Sequence, residues 1–200
     1  MSDTRFTRKG LAARSRIVDT TARLMFERGV EGTTLDEVRD AAEVSGSQLS
    51  HYFRGKDELT REVVAERRRQ VAQFHLEMGD LDSLDALQTW ADACVADAET
   101  VYRRGGCIYG SLAGELVEGE AQIRDDLAAG YDEWLTLFRA ALTAMKKRGD
   151  LRADADPRHL AAALVIAHQG GAMLTFVTGD PDMLRDTVYA AVDYVRQFTA

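Results

Sequence analysis

The sequence predicts an all-α fold. Apolar residues recur at spacings of three and four along most of the chain, which places them on one face of a helix, and no segment alternates apolar with polar residues as a half-buried strand does. Both prolines follow an aspartate, in Asp156-Pro157 and Asp180-Pro181, and this pair favours the start of a helix. We expect about nine helices, divided between a three-helix N-terminal helix-turn-helix domain and a larger C-terminal helical domain.

The composition is that of an ordinary soluble globular protein. The 200 residues are 46% hydrophobic and 29% charged, no run of eighteen apolar residues could span a membrane, and the N-terminus lacks the apolar run of a signal peptide. Two cysteines, Cys94 and Cys107, do not make a disulfide framework. We therefore expect a cytoplasmic protein with no membrane partner.

The N-terminal helices are predicted from their start signals. The first helix runs from about Leu11 to Arg28. Two capping boxes follow, Thr34 with Glu37 and Ser45 with Gln48, in which each hydroxyl accepts from the backbone N–H three residues on and the longer side chain reaches back. Two short helices separated by a tight turn describe a helix-turn-helix, whose second helix enters the major groove of DNA.

Residues 14 to 63 resemble the TetR family of one-component bacterial repressors. The matching pieces are Arg16-Ile17, Leu24-Met25, Glu27-Arg28-Gly29, Thr33-Thr34, Val38, Ala41-Ala42, Val44-Ser45, Leu49, Tyr52-Phe53 and Lys56-Asp57-Glu58-Leu59. Glu43 stands where the family usually has a turn glycine, which costs on the order of 1 kcal/mol if φ is positive. Ser50 replaces a usual tyrosine and puts one phosphate contact in doubt, which Tyr52 could take over. The resemblance implies a homodimeric, ligand-responsive repressor of a palindromic double-stranded DNA operator.

The helix-turn-helix pattern and this resemblance together predict the DNA contacts. Gln48 suits the bidentate recognition of adenine, although its capping role uses the same side chain. Thr34, Tyr52 and Lys56 are expected at phosphates, with help from the N–H groups at the start of the fourth helix. The full predicted set is Arg16, Thr34, Ser45, Gly46, Ser47, Gln48, Ser50, His51, Tyr52 and Lys56.

The net charge of −8 is unevenly distributed. Residues 1–70 hold 14 basic and 12 acidic side chains, whereas the remainder holds 11 and 21. Phosphate contacts supply much of the affinity for DNA, so a basic arm formed by Arg5, Arg8, Lys9, Arg14 and Arg16 favours DNA binding. The arm could equally be a solvated tail. We divide the chain into a DNA-binding domain with its arm (1–55), a connecting helix (56–79), and a ligand-binding and dimerisation domain (80–200).

The last two helices are expected at about 157–178 and 181–198. Their small residues would let another helix approach closely, and in the resembled family these helices form a four-helix bundle across a two-fold axis. The alternative is an ordinary alanine-rich core helix. The predicted dimer interface is Ala161, Leu164, His168, Gly171, Leu184, Val188, Ala191 and Val195.

Residues 106–118 resemble a Gly-Cys-x-x-Gly-x-Leu-x-x-Glu pattern of an LmrA-like subgroup, which includes multidrug- and flavonoid-responsive repressors. Apolar stripes with aromatic groups surround this segment, at 87–101 and 123–145, and such groups form either a pocket or plain core. The predicted ligand-binding residues are Trp90, Cys94, Tyr102, Cys107, Tyr109, Glu115, Trp134, Phe138, His168 and Phe176. With few basic residues on the stripes, a mostly apolar aromatic effector is expected, because an anion would need buried partners.

Individual residues in this set have two interpretations each. His168 is either a hydrogen-bonded core histidine or a ligand contact, and Glu115 either a solvated flank or a polar anchor. Cys107 is either a buried apolar thiol or a reactive one activated by Arg103 and Arg104. His75, late on the fourth helix, suggests no function.

An enzyme is excluded by the lack of motifs. The four histidines are scattered without metal-ligand spacing, and there is no GxSxG elbow, P-loop or GxGxxG. No metal or cofactor is therefore expected. A constitutive DNA-binding regulator without an effector stays open, and a cavity rather than a solid core in the second domain would distinguish the two.

Overall fold

The computed structural model describes residues 7–119 and 121–200, which are helical apart from turns and one isolated antiparallel bridge between Leu151 and Thr199. The helices are α1 (Arg8–Arg28), α2 (Leu35–Ala41), α3 (Gly46–Tyr52), α4 (Lys56–Glu77), α5 (Leu84–Ala96), α6 (Arg103–Gly105), α7 (Gly110–Leu116), α8 (Ala121–Arg148), α9 (Pro157–Thr178) and α10 (Asp182–Arg196). Apart from α6, a single turn, nine helices lie in the described ranges, so the all-α prediction is confirmed.

The caps and turns at the N-terminal end follow the sequence signals. The Thr7 hydroxyl accepts from the Gly10 N–H, so α1 begins at Arg8 rather than Leu11. Both predicted capping boxes are present, at α2 and at α3. Between these helices Glu43 has φ = 53°, the left-handed conformation expected where the resembled family usually has glycine.

The apolar stripe at 87–101 does not lie on one continuous α-helix. The chain leaves α5 at Ala96 and forms a π-helical turn over Ala98–Tyr102. Such turns are common at functional sites in proteins. Here the turn brings Tyr102 towards α9, where its hydroxyl is 2.8 Å from His168 Nε2.

The core of the C-terminal domain lies between α5, α8, α9 and α10. Leu87, Phe138, Leu164, Leu184 and Val192 are completely buried within it. The close approach of α9 and α10 explains one glycine, because a Cβ at Gly171 would clash with the Leu184 backbone and the Thr187 side chain.

The predicted dimer interface therefore needs correction. Its eight side chains are all buried in the protomer's own core, so they are not available to a partner: Ala161, Leu164, His168, Gly171, Leu184, Val188, Ala191 and Val195. The small residues serve the packing of α9 on α10 within one chain. On the opposite side of α9, Ile166, Met173 and Val177 are 67%, 60% and 73% exposed.

By length and composition alone, α9 is long and apolar enough to cross a membrane. A core helix of a soluble protein passes the same test, and α9 packs extensively on α8 and α10. We therefore interpret α9 as a helix that packs into the core on one side and exposes an apolar face on the other.

Three of the contacts that join the two domains lie around α1. The Glu115 carboxylate accepts from the Val30 N–H at 2.6 Å, just beyond the end of α1. The Arg67 guanidinium on α4 donates to the Ala22 carbonyl at 3.0 Å. Gly105 in α6 packs so closely on the Phe26 ring that a Cβ there would clash. The DNA-binding unit is thus tied to both α4 and the α6–α7 region.

Candidate DNA interface and ligand cavity

The outer face of α3 carries the residues predicted to read DNA. Ser47, Gln48, Ser50 and His51 are exposed together with Gly46, whereas Leu49 on the other side of the helix is buried. Gly46 has open space around it, so the start of α3 can approach a duplex closely. The predicted recognition helix therefore has the exposure its role requires.

Hydrogen bonds within α3 limit how two of these side chains could contact a base. The Ser45 N–H donates to Gln48 Oε1 at 2.9 Å, and the Gln48 N–H donates to Ser45 Oγ at 3.1 Å. The capping box therefore occupies the carbonyl oxygen that a bidentate contact to adenine needs. Ser50 Oγ donates to the Gly46 carbonyl at 3.0 Å, which turns its hydroxyl back onto the helix.

The predicted phosphate contacts surround this helix. Thr34 is exposed, and Tyr52 and Lys56 are partly exposed. The start of α4 has no side-chain cap, as an anion-binding helix end requires. Two acidic residues in its first turn, Asp57 and Glu58, oppose a phosphate there.

Two residues of the basic arm, Arg14 and Arg16, make contacts within the protein. Arg5 lies outside the described residues, and Arg8 and Lys9 are exposed in the first turn of α1. Arg14 forms an ion pair with Glu62 at 2.6 Å, and its guanidinium lies 5.2 Å from the Phe53 ring centroid. Arg16 is exposed but donates through Nε to the Ala42 carbonyl at 3.0 Å, so it supports the turn before α3.

Two adjoining cavities of about 290 and 250 Å³ lie in the C-terminal domain, and both are lined by Val71, His75 and Trp134. Six predicted ligand residues line the smaller one, namely Trp90, Cys94, Tyr102, Cys107, Trp134 and His168. Tyr109 lines the larger one, beside the ion pair of Arg68 and Glu133. Seven of the ten predicted ligand residues therefore lie on the walls of these cavities.

Three residues of the predicted ligand set lie elsewhere. Phe138 is completely buried behind the wall, with its ring 5.0 Å from that of Trp90, so it is core. Glu115 is exposed and does not line either cavity, and its carboxylate accepts from the Val30 N–H. Phe176 is 49% exposed and lines, with Glu115, a separate surface groove between α7 and α9.

His75 is a wall residue that sequence reasoning missed. Its ring is 4% exposed and lies 5.3 Å from the Trp134 ring and 5.8 Å from the Phe138 ring. Nδ1 is 2.8 Å from the Val71 carbonyl oxygen. Burial lowers the pKa of His75, although the hydrogen bond to Val71 opposes this effect, so the ring is neutral near pH 7. Its spacing of four from Val71, on the inner face of α4, was the available signal.

His168 lines the smaller cavity, and both of its ring nitrogens are hydrogen-bonded. Nε2 is 2.8 Å from the Tyr102 hydroxyl, and Nδ1 is 3.2 Å from the Gln169 amide nitrogen. Burial, with a smaller contribution from His75, lowers the pKa of His168 to about 3. The histidine is therefore a neutral member of a polar network in an otherwise aromatic wall.

Neither cysteine has the surroundings of a reactive thiol. Burial raises the pKa of Cys94 far above its usual range. Cys107 is buried, and its sulfur accepts from the Gln169 amide at 3.3 Å. Arg103 is exposed and forms an ion pair with Glu99 at 3.0 Å. The interpretation as buried thiols is favoured.

Among the residues the structure describes, no group of three His, Cys, Asp or Glu side chains could hold a metal ion. The candidate site has two parts, the exposed recognition helix α3 and the aromatic cavity in the C-terminal domain. Helix α4 connects them, because it begins just after α3 and its C-terminal half lines the cavity.

Comparison with known proteins identifies both parts of the chain. Residues 17–63 match the family model described as "Bacterial regulatory proteins, tetR family". Residues 83–191, more than half of the chain, match the model described as "Tetracyclin repressor-like, C-terminal domain".

Characterised relatives and solved structures agree with these matches. The chain is 24% identical over 161 residues to the HTH-type transcriptional repressor DhaR of Mycobacterium sp. strain GP1, covering 78% of this chain and 79% of DhaR. It is 28% identical over 168 residues to the transcriptional regulator AcuR of Cereibacter sphaeroides, covering 80% and 74%. A TetR regulator structure from Chloroflexus aurantiacus superposes with a TM-score of 0.83 at 22% identity, covering 96% of this chain and 98% of that one. The helix-turn-helix, the helical second domain and these matches together show that the chain belongs to the TetR family of transcriptional regulators, which are not enzymes.

Proposed function

We propose that this protein is a cytoplasmic, homodimeric repressor that binds a palindromic operator and releases it when a small, mostly apolar aromatic molecule occupies the cavity. The observation that carries the proposal is the cavity itself, since a constitutive regulator needs only a solid core in its second domain. The aromatic wall, with Trp90, Tyr102 and Trp134, suits a ring-bearing ligand.

The path from cavity to DNA runs along α4. Val71 and His75, near its C-terminal end, form part of the cavity wall, and Lys56 at its first position follows the recognition helix closely. Arg67 ties the middle of α4 to α1. A ligand that displaces the wall side of α4 would therefore change the spacing between the recognition helices of the two protomers. Such a change reduces the fit to successive major grooves.

The exposed face of α9 is the dimer interface we propose. Ile166, Met173 and Val177 lie at spacings of seven and four, which places them on one stripe, and Gly170 between them allows close approach. The occupant is a second copy of this chain, because a two-fold axis along this face pairs the recognition helices for a palindrome.

The charges around the cavity disfavour an anionic effector. Among the described residues that line the smaller cavity, none is Lys or Arg. In the larger one Arg68 is already paired with Glu133, whose Oε2 accepts from Arg68 Nε at 2.8 Å. An anion entering either cavity would lack a buried partner of opposite charge. The resemblance of residues 106–118 to the LmrA-like pattern also favours an apolar effector.

The test is a ligand titration of the protein–operator complex, followed by fluorescence anisotropy. A saturating effector should weaken operator binding by roughly 5- to 150-fold, the usual range of coupling between two sites. Trp134→Ala should reduce affinity for the effector and leave operator binding without ligand nearly unchanged. If a small carboxylate or phosphate compound is the best inducer and apolar compounds have no effect, the proposed effector class is wrong.

A further inference from the structure

The ion pair of Arg68 and Glu133 bridges two helices at the edge of the larger cavity. Arg68 is on α4 and Glu133 on α8, and the guanidinium binds the carboxylate through two hydrogen bonds. The bond from Arg68 Nε to Glu133 Oε2 measures 2.8 Å. A two-point contact of this kind fixes the direction of the pair as well as its distance. The pair therefore connects α4 to α8 at this point.

Both side chains lie between the larger cavity and the solvent. Arg68 and Glu133 line the cavity, yet their side chains are 35% and 55% exposed. Together with Ala72 they also line a neighbouring surface depression that includes the exposed Arg69. Residues that line both an internal space and an external one separate the two. The pair therefore stands across an opening of the cavity.

The lining residues one turn from this pair are small or apolar. Ala72 on α4 and Gly130 on α8 have little or no side chain, which leaves space between the two helices. Leu137, one turn beyond Glu133 on α8, lines the cavity and is 37% exposed. These surroundings suit the passage of an uncharged apolar molecule once the pair has separated, because such a molecule needs no buried partner.

The strength of the pair suits a contact that opens and closes. Hydrogen bonding to Arg68 lowers the pKa of the Glu133 carboxyl, so both groups are charged at neutral pH. A partly exposed ion pair contributes little net free energy, because water solvates the two charges when they separate. The pair can thus break and re-form while the buried apolar contacts of α4 and α8 stay in place.

We propose that the pair of Arg68 and Glu133 is the gate of the effector cavity, and that an uncharged ligand enters and leaves between α4 and α8 when the pair opens. This inference rests on the proposed function and adds the route by which the same cavity is filled. Because Trp134 lines the larger cavity behind the pair, its indole reports what passes the gate.

Quenching of tryptophan fluorescence by acrylamide, a small uncharged molecule, tests the gate on the full-length protein. The chain has two tryptophans, Trp90 and Trp134, and both line the cavities. Glu133→Gln keeps the volume of the side chain and removes its charge, and Arg68→Gln removes the charge of the partner. Each variant should raise the bimolecular quenching constant roughly two-fold, a modest change because a weak pair is already open part of the time.

Salt gives a second measurement, and another ion pair gives the matched control. Raising the ionic strength from about 0.01 M to 1 M shortens the screening length from about 30 Å to about 3 Å, which weakens a partly exposed pair. The quenching constant of the parent should therefore rise with salt, and that of Glu133→Gln should not. Glu66→Gln makes the same substitution in a pair with Arg69 that lies within α4, and it should behave like the parent.

The outcomes separate the gate from the repressor function. Faster quenching in Glu133→Gln and Arg68→Gln but not in Glu66→Gln would support the gate. An unchanged constant in either gate variant, an equal increase in Glu66→Gln, or a parent that does not respond to salt would overturn it. None of these measurements involves DNA. A gate found in this way in a protein that no small molecule releases from operator DNA would support the inference and contradict the proposed function.

Discussion

At the scale of single residues, Glu43 connects sequence and conformation most directly. It is the one non-glycine residue with positive φ in the described part of the chain, at the turn of the helix-turn-helix. Left-handed backbone costs an L-residue roughly 1 kcal/mol, whereas glycine adopts it readily. Glu43→Gly should therefore raise the free energy of unfolding by up to about 1 kcal/mol in urea titrations. Glu43→Ala, which removes the charge but keeps a Cβ, should give no such gain.

Gln48 and Lys56 should differ in the kind of DNA contact they make. Lys56→Ala should weaken binding to all sequences and reduce the salt dependence by roughly 0.9 in slope, as expected for one phosphate. Gln48→Ala should relax the preference at one base pair by about 1–3 kcal/mol. Affinities for matched and mismatched operators over a salt series distinguish the two effects.

The capping role of Gln48 requires a control of its own. Glutamate at the same position keeps the carbonyl-type acceptor for the Ser45 N–H but removes the amide donor. Gln48→Glu should thus preserve α3 and still lose base discrimination. If both Gln48 variants weakened binding to all operators equally, as expected of Lys56→Ala, the hypothesis that Gln48 contacts a base would be contradicted.

At the scale of elements, short sequence motifs correctly predicted the helix starts, because a helix cap depends on residues that are close together in the chain. The helix-turn-helix follows from two capping boxes, each complete within four residues, and both were confirmed. The start of α9 follows in the same way from Asp156 and Pro157. The sequence also identified part of the cavity wall, since Trp90 and Trp134 lie on apolar stripes.

What the sequence could not show depends on how the helices are packed. From the sequence alone, an apolar stripe that packs in the chain's own core cannot be distinguished from one that contacts a partner. For this reason Leu164 and Leu184, which are buried within the protomer, were predicted at the dimer interface. Phe138 and Trp134 share a stripe, yet one is core and the other lines the cavity. The π-helical turn and the role of His75 likewise depend on tertiary neighbours.

The exposed face of α9 leads to a prediction about assembly. Met173→Glu and Val177→Glu each place a charge on an apolar stripe that we propose meets its copy, so each should dissociate the dimer. Sedimentation should give the 22.1 kDa mass of one chain for these variants and twice that mass for the parent. Leu76→Glu, at a 73% exposed site on α4, is the control and should stay dimeric. A parent chain that is monomeric, or variants that stay dimeric, would contradict the interface.

At the scale of the whole molecule, the two buried histidines make stability depend on pH. Both have a lowered pKa in the folded state, that of His168 near 3, because burial disfavours the charged ring. The unfolded chain, with a histidine pKa near 6.5, binds more protons between these values, so stability falls as pH decreases from about 6.5 towards 3. Each histidine can contribute up to about 1.4 kcal/mol per pH unit.

Urea midpoints between pH 5 and pH 7 test this dependence above the range where most carboxylates titrate. His168→Gln, which cannot gain a proton, should show a smaller loss of stability over the interval than the parent. Stability that is flat from pH 7 to pH 5 in the parent would contradict the neutral assignment of both rings.

The cavities beside α4 also make the thermal stability of the protein a measure of their occupancy. Val71, His75 and Trp134 line both cavities. A molecule that binds the folded chain and not the unfolded chain raises the free energy of unfolding, by about 2.7 kcal/mol at a concentration of 100 times its Kd. An effector that fills either cavity should therefore raise the melting temperature of the protein even when no operator DNA is present.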